Sequence, residues 1–229
     1  MNLQTIQHVA NTSGGILYLM MVLLLVALTI ALERAWYLRH ILTAGNQIVD
    51  QLDSVTRAEM PLLRKLSDDA SQLPHGRMLE AVLKHDLDHH FDRLSDKMEE
   101  AIMREAPRID RYLWILDTII TLAPLLGLLG TIIGMFNSFQ VLSDPGSAPT
   151  KVTGGVAEAL LATASGLFIA ILGLMFFNGL NNRVRVIMHQ LETVKMMLLN
   201  RMYPHYHGRA SNNDRTHDIG PRAVRIKES

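Results

Sequence analysis

Glu158 is the residue whose surroundings most demand a chemical account. It lies in the run GGVAEALLATASGLFIAI (154–171), flanked by small and apolar residues on both sides. A carboxylate in hydrocarbon is costly unless a cavity, a partner or an exchangeable proton compensates. Thr163 and Ser165 follow along the same run, and hydroxyls both donate and accept, so they can extend a polar lining. The same glutamate also reads as an interfacial residue near a helix N-terminus, where the macrodipole favours negative charge. Asp117 stands at the edge of a second apolar run, six residues after Arg111. It reads either as an interfacial acid or as the mouth of an ion path. His85 and His89 have the i, i+4 spacing that can chelate a metal, although a solvated helix face explains them as well. His205 and His207 carry a weaker signal of the same kind. The 229 residues contain no cysteine, which excludes disulfides, thiolate metal sites and a cysteine nucleophile. No phosphate-binding loop, dinucleotide fingerprint, catalytic triad or zinc-protease motif is present.

The elements that must position these groups are set by the distribution of charge. Residues 14–32, 118–143 and 159–182 carry no Lys, Arg, Asp or Glu. Each is long enough to cross a hydrocarbon core, which takes about 20 helical residues. The expected order is an outer N-terminus (1–13), span one (14–32), an inner helical region (33–112), span two (113–142), an outer loop (143–151), span three (152–180) and an inner helix with a tail (181–229). Span one lacks the basic flank and small-residue cleavage site of a signal peptide, so it is expected to remain in place.

Basic residues give the expected orientation. Lys and Arg number none before span one, twelve in 33–112, one in the loop between spans two and three (Lys151), and nine in 183–229. Because basic segments resist translocation, the middle region and the C-terminal tail are expected in the cytoplasm and the N-terminus outside.

The spans differ in kind. Span one is Leu, Val, Met, Ile and Ala almost throughout and suits lipid on all sides. Span two carries Gly127, Gly130, Thr131, Gly134 and Ser138. Span three carries Gly155, Ala159, Ala162, Gly166, Ala170 and Gly173, at spacings of four, three, four, four and three. That is a ridge of small residues on one helix face, which lets another backbone approach closely.

Between the spans, Ile41, Ile48, Leu52 and Val55 continue a helical period beyond span one. Breaks are expected near Met60–Pro61 and around 73–76. From Gly76 the apolar stripe Met78, Val82, Leu87, Phe91, Leu94, Met98 and Ile102 predicts an amphipathic helix running unbroken into span two, with Pro107 and Pro124 as possible kinks. After span three, Val184, Ile187, Leu191, Val194 and Leu198 predict another long continuation. The tail from Gly208 is polar and is expected to lack a core.

TLAPLLGLLGTIIGMFNSF (121–139) is similar to the second-span signature of ExbB and TolQ proteins, and 154–171 closely resembles their third-span signature. The Glu33–Arg34 pair and the three-span plan fit as well; MotA proteins share the plan but usually have four spans. The resemblance implies an all-α integral membrane protein, a homopentamer around a pore that encloses the helices of an ExbD-like single-span dimer. It implies proton flow that drives a TonB-like protein, with protons as the transported ion and no cofactor, no catalysis and no nucleic-acid partner. It places Glu158 in the pore lining, with Thr131 and Thr163 as the family's hydroxyl positions; Asp117, read from its own surroundings, stays a candidate for the inner mouth. A bacterial inner-membrane location follows. A TolQ-like role in envelope integrity and cell division, or a scaffold without conduction, are the alternatives.

Overall fold

The computed structural model describes residues 15–54, 60–83, 91–142 and 149–203. Among these, every regular element is an α-helix: α1 (Ile16–Asp53), α2 (Met60–Asp69), α3 (Pro74–Leu83), α4 (Phe91–Ile109), α5 (Leu113–Leu142) and α6 (Pro149–Met202). Helix is the physical solution for these apolar runs, because it satisfies every backbone N–H and C=O within the segment. Among the described residues three helices are long and apolar enough to cross a membrane: α1, α5 and α6. The chain divides into two compact units, Met1–Thr43 with Ala106–Ile187, and Ala44–Glu105 with Met188–Ser229.

The first unit holds the apolar parts of α1, α5 and α6. Its large apolar side chains point outward in number: Phe136 is 63% exposed, Ile132 59% and Met175 70%. Water would penalise such a surface, so it must meet lipid or other protein. The inward faces carry mostly small or branched residues, including Ala27, Ala31, Ala123, Ala159 and Ala162.

The helix expected to run unbroken into span two is broken. α4 ends at Ile109 and α5 starts at Leu113, and Tyr112 between them adopts a left-handed φ of 68°. The new helix is initiated by Leu113 N–H donating to the Asp110 carbonyl (3.1 Å) and Ile115 N–H to that of Tyr112 (3.1 Å). A non-glycine residue in this region costs about 1–3 kcal/mol and persists only when its surroundings hold it. Here the holder is Arg34, which is 5% exposed. Its guanidinium lies 5.0 Å from the Tyr37 ring centre and 5.1 Å from that of Tyr112, and its Nη1 donates to the Arg108 carbonyl at 3.5 Å. Glu33 pairs with its Nε at 2.8 Å. Arg111 covers Tyr112 as well, at 4.5 Å. The periodicity of the sequence continues through this point, so the break could not be read from it. Pro107 and Pro124, by contrast, lie within α4 and α5 without ending them.

The second unit has a conventional apolar core. Ile48 and Leu52 of α1, Leu63 and Leu66 of α2, Met78, Leu79 and Val82 of α3, Leu94, Met98 and Ile102 of α4, and Leu191, Val194 and Leu198 of α6 are buried together as its inward residues. Of the expected stripe, Leu87 lies outside the described residues. Pro74 occupies the first position of α3, where its missing N–H is not needed. The turn before it closes through Leu73 N–H to Ala70 O (2.8 Å) and the Ser67 hydroxyl to Gly76 O (3.2 Å). Gly76 is required there, because a β-carbon would run into the Ala70 carbonyl. Ion pairs Arg77–Glu105 and Lys195–Glu99 tie α3 to α4 and α6 to α4.

Candidate functional site

The hairpin of α5 and α6 is built from close backbone contacts. A β-carbon at Gly134 would stand 2.8 Å from that of Ala159, and one at Gly130 would stand 2.8 Å from that of Ala162. At Gly127 it would meet the Thr163 Cα at 3.0 Å, and at Gly173 the Ile120 side chain at 2.9 Å. Gly166 faces the Ala123 backbone carbonyl too closely for any side chain, and Gly155 faces the Ser138 hydroxyl, which would have to turn away from a β-carbon there. Gly127, Gly134, Gly155, Gly166 and Gly173 thus all lie on the seam between spans two and three of one chain. The ridge read from the sequence has its partner within the subunit, where Gly127, Gly130 and Gly134 of α5 stand opposite it. Ile16 of α1 also reaches this seam, 3.6 Å from the Gly130 position.

The polar groups sit on and beside that seam. Glu158 is half-buried, next to the buried Ala159 and Ala162 that face α5. Thr163 lies in the seam, its hydroxyl donating across to the Gly127 carbonyl at 2.9 Å. Five residues separate Glu158 from Thr163, which sets them about 140° apart around the helix. They therefore do not form one stripe. Ser165, by contrast, is two turns beyond Glu158 on nearly the same face, its hydroxyl donating to Leu161 O at 2.8 Å. Thr131 is half-exposed and bonds to Leu128 O within α5 at 2.7 Å, leaving its lone pairs outward. Ser138 is buried and bonds to Gly134 O at 2.8 Å.

Asp117 stands apart from these, exposed near the start of α5. It borders an open cavity of about 480 Å³ with Asp110, Arg111, Tyr112, Trp114 and Asn181. Asp110 and Asn181 carry no signal in the sequence; both line the cavity that Asp117 borders. The two acids, the cationic Arg111 and the amide give this open cavity a lining of mixed charge. Among the described residues no group of three His, Cys, Asp or Glu side chains could hold a metal. The candidate pairs His85/His89 and His205/His207 lie outside those residues.

Three helices long and apolar enough to cross a membrane, two of them packed through glycines as a hairpin, define a multi-pass membrane protein. The profile of the MotA/TolQ/ExbB proton channel family matches residues 70–193. The chain belongs to that family, as a member of the ExbB type. It is 37% identical to the ExbB-like 1 protein of Synechocystis over 174 residues, 73% of this chain and 67% of that one. Over shorter stretches it is similar to TolQ of the Tol-Pal system of Haemophilus influenzae and to the biopolymer transport protein ExbB of Xanthomonas campestris. The TolQ match is 40% identical over 39% of this chain and 40% of TolQ. The ExbB match is 38% identical over 35% of this chain and 32% of that ExbB.

Proposed function

We propose that this protein is the proton-conducting subunit of an inner-membrane motor that spends the proton motive force on outer-membrane transport. The reading is of an ExbB-type homopentamer around the helices of an ExbD-like dimer, working on a TonB-like protein, with its N-terminus outside and its C-terminus in the cytoplasm. Family membership supports the class, and the observation that carries the mechanism is the placement of Glu158. Its half-burial within a span provides a group that can take up and release a proton, and the outward lone pairs of Thr131 and the nearby Ser165 can hold water. Asp117 and the cavity it borders serve as the inner mouth. Each proton crossing releases about 2.3 kcal/mol per 100 mV, so several crossings can drive a multistep motion. The protein acts as a channel, not a catalyst, and needs no cofactor beyond the ion it moves.

The test is proton flux into liposomes that hold the protein with an ExbD-like partner, at verified composition. Glu158→Gln preserves size and hydrogen bonding but cannot titrate at ordinary pH; flux is expected to fall to the leak of empty liposomes. Glu158→Asp is expected to retain part of it. Full flux in Glu158→Gln would remove the residue from the path and return it to an interfacial role. Similarity to TolQ as well as to ExbB makes envelope integrity the second reading. Rescue of iron-chelate uptake in a strain lacking its ExbB supports the first role, and rescue of detergent resistance in a strain lacking TolQ supports the second.

A further inference from the structure

His75 is the most deeply enclosed titratable group among the described residues, and nothing in the proton-motor reading uses it. It lies in the first turn of α3, between Pro74 and Gly76, and is 0% exposed. Both of its ring nitrogens are buried without a hydrogen-bond partner. The ring edge rests against α1 at a notch that only glycine leaves open: a β-carbon on Gly45 would stand 2.7 Å from His75 Cε1 and 2.8 Å from Nε2. The same point lies 2.6 Å from Gln190 Oε1 of α6, a buried oxygen that also has no partner. Gln190 Nε2 is held by Asn46 of α1 at 2.6 Å. Three helices of the second unit thus converge on one imidazole.

We propose that His75 is an acid-released lock on this unit: the neutral ring, seated between Gly45 and Gln190, holds α1, α3 and α6 together, and protonation drives it out. The immediate surroundings of the ring are uncharged. On its own helix, Arg77 is directed to Glu105 and the Gln72 carbonyl. Asp50 on α1, Asp68 and Asp69 on α2, and His189 and Glu192 on α6 are exposed. None of these stands in the notch to stabilise an imidazolium, and a cation at a helix N-terminus is disfavoured by the helix dipole.

Burial by itself therefore lowers the pKa of His75 from 6.5 to about 4. The sign follows from that direction. The seated state is fully favoured above the ordinary histidine pKa, where the ring is neutral in both states. As pH falls from about 6.5 towards about 4, the unseated state binds the extra proton, and the ratio of seated to unseated protein falls about tenfold per pH unit. Under the motor reading this unit faces the compartment that receives protons, so the lock would loosen as that compartment acidifies; this consequence alone rests on that reading.

The experiment is hydrogen exchange of the full chain in nanodiscs at about pH 7.5 and about pH 5.5, corrected for intrinsic rates, where the linkage predicts about a tenfold rise in opening. That rise is expected in the peptides of α3 and the facing segments of α1 and α6. It is expected to vanish in His75→Phe and in His75→Leu, two differently shaped rings or chains that cannot titrate. Equal protection of the wild-type protein at both pH values overturns the lock, as does an undiminished acid response in the two variants. Carbon-13 imidazole NMR of the wild-type protein supplies a reading that needs no folded variant: one histidine stays neutral near pH 5.5 while the protein remains folded. Titration of every ring at the ordinary value overturns the proposal, whatever the outcome of the flux measurements on Glu158.

Discussion

Thr163 and Arg34 show how much one side chain's partners decide. The Thr163 hydroxyl ties α6 to α5 at the Gly127 carbonyl. Interhelical bonds of this kind average about 0.6 kcal/mol in membranes. Thr163→Val is therefore expected to lower the melting temperature slightly and leave the assembly intact. If the hydroxyl also orders water on the proton path, flux falls far more than stability, and Thr163→Ser restores it. Flux at the wild-type level in Thr163→Val would confine the residue to packing. Arg34 lies between the rings of Tyr37 and the left-handed Tyr112. A lysine retains the charge but not the planar stack. Arg34→Lys is expected to destabilise the first unit by about 2 kcal/mol, the scale of a desolvated cation–π contact. Thermal unfolding in detergent measures it, and an additive Arg34→Lys/Tyr112→Leu double variant would count against the proposed coupling.

At the scale of the element, the hairpin of α5 and α6 sorts its glycines into two kinds. Gly166 faces the Ala123 carbonyl with no room for a β-carbon, whereas Gly154 has open space around it. Gly166→Ala is therefore expected to force the helices apart, at about 1–3 kcal/mol for an overpacked contact. Gly154→Ala is expected to be neutral in the isolated subunit. Because the seam is internal to one chain, the Gly166 variant should lose helix–helix packing before it loses subunit association. Thermal stability and oligomer size, measured on the same detergent preparation, separate the two. An unshifted melting temperature with a smaller oligomer would place Gly166 at a contact between copies instead.

At the scale of the molecule, orientation determines the direction of useful proton flow. The basic residues cluster in 33–112 and 183–229. A reporter fused after Ser229 is expected to be active in the cytoplasm, and one inserted at Gly146 in the periplasm. The opposite pattern would reverse the side from which protons enter. It would also place the unit that contains His75 on the supplying side of the membrane.

The spans and the small-residue face were legible in the sequence because they depend on local quantities: the length of an uncharged run and the spacing of small residues. The long continuations α1 and α6 were legible for the same reason, since an apolar period of 3.6 persists beyond each span. Glu158 stood out because one carboxylate in an apolar run is anomalous before any fold is known. What only the tertiary structure decided depends on residues far apart in the chain. The break at Tyr112 leaves no mark in the local period; the ring there is covered by Arg34, seventy-eight positions earlier. The partner of the glycine ridge is decided by which helix the hairpin folds against it. His75 reads as an ordinary polar residue in a Pro–His–Gly turn, and its burial follows from a missing side chain at Gly45 and an amide at Gln190. Local sequence specifies which segments become helices and which faces they bury. Which side chains meet across those faces is set by packing between distant segments, and that packing determines the ionisation of His75 and the partner of Thr163.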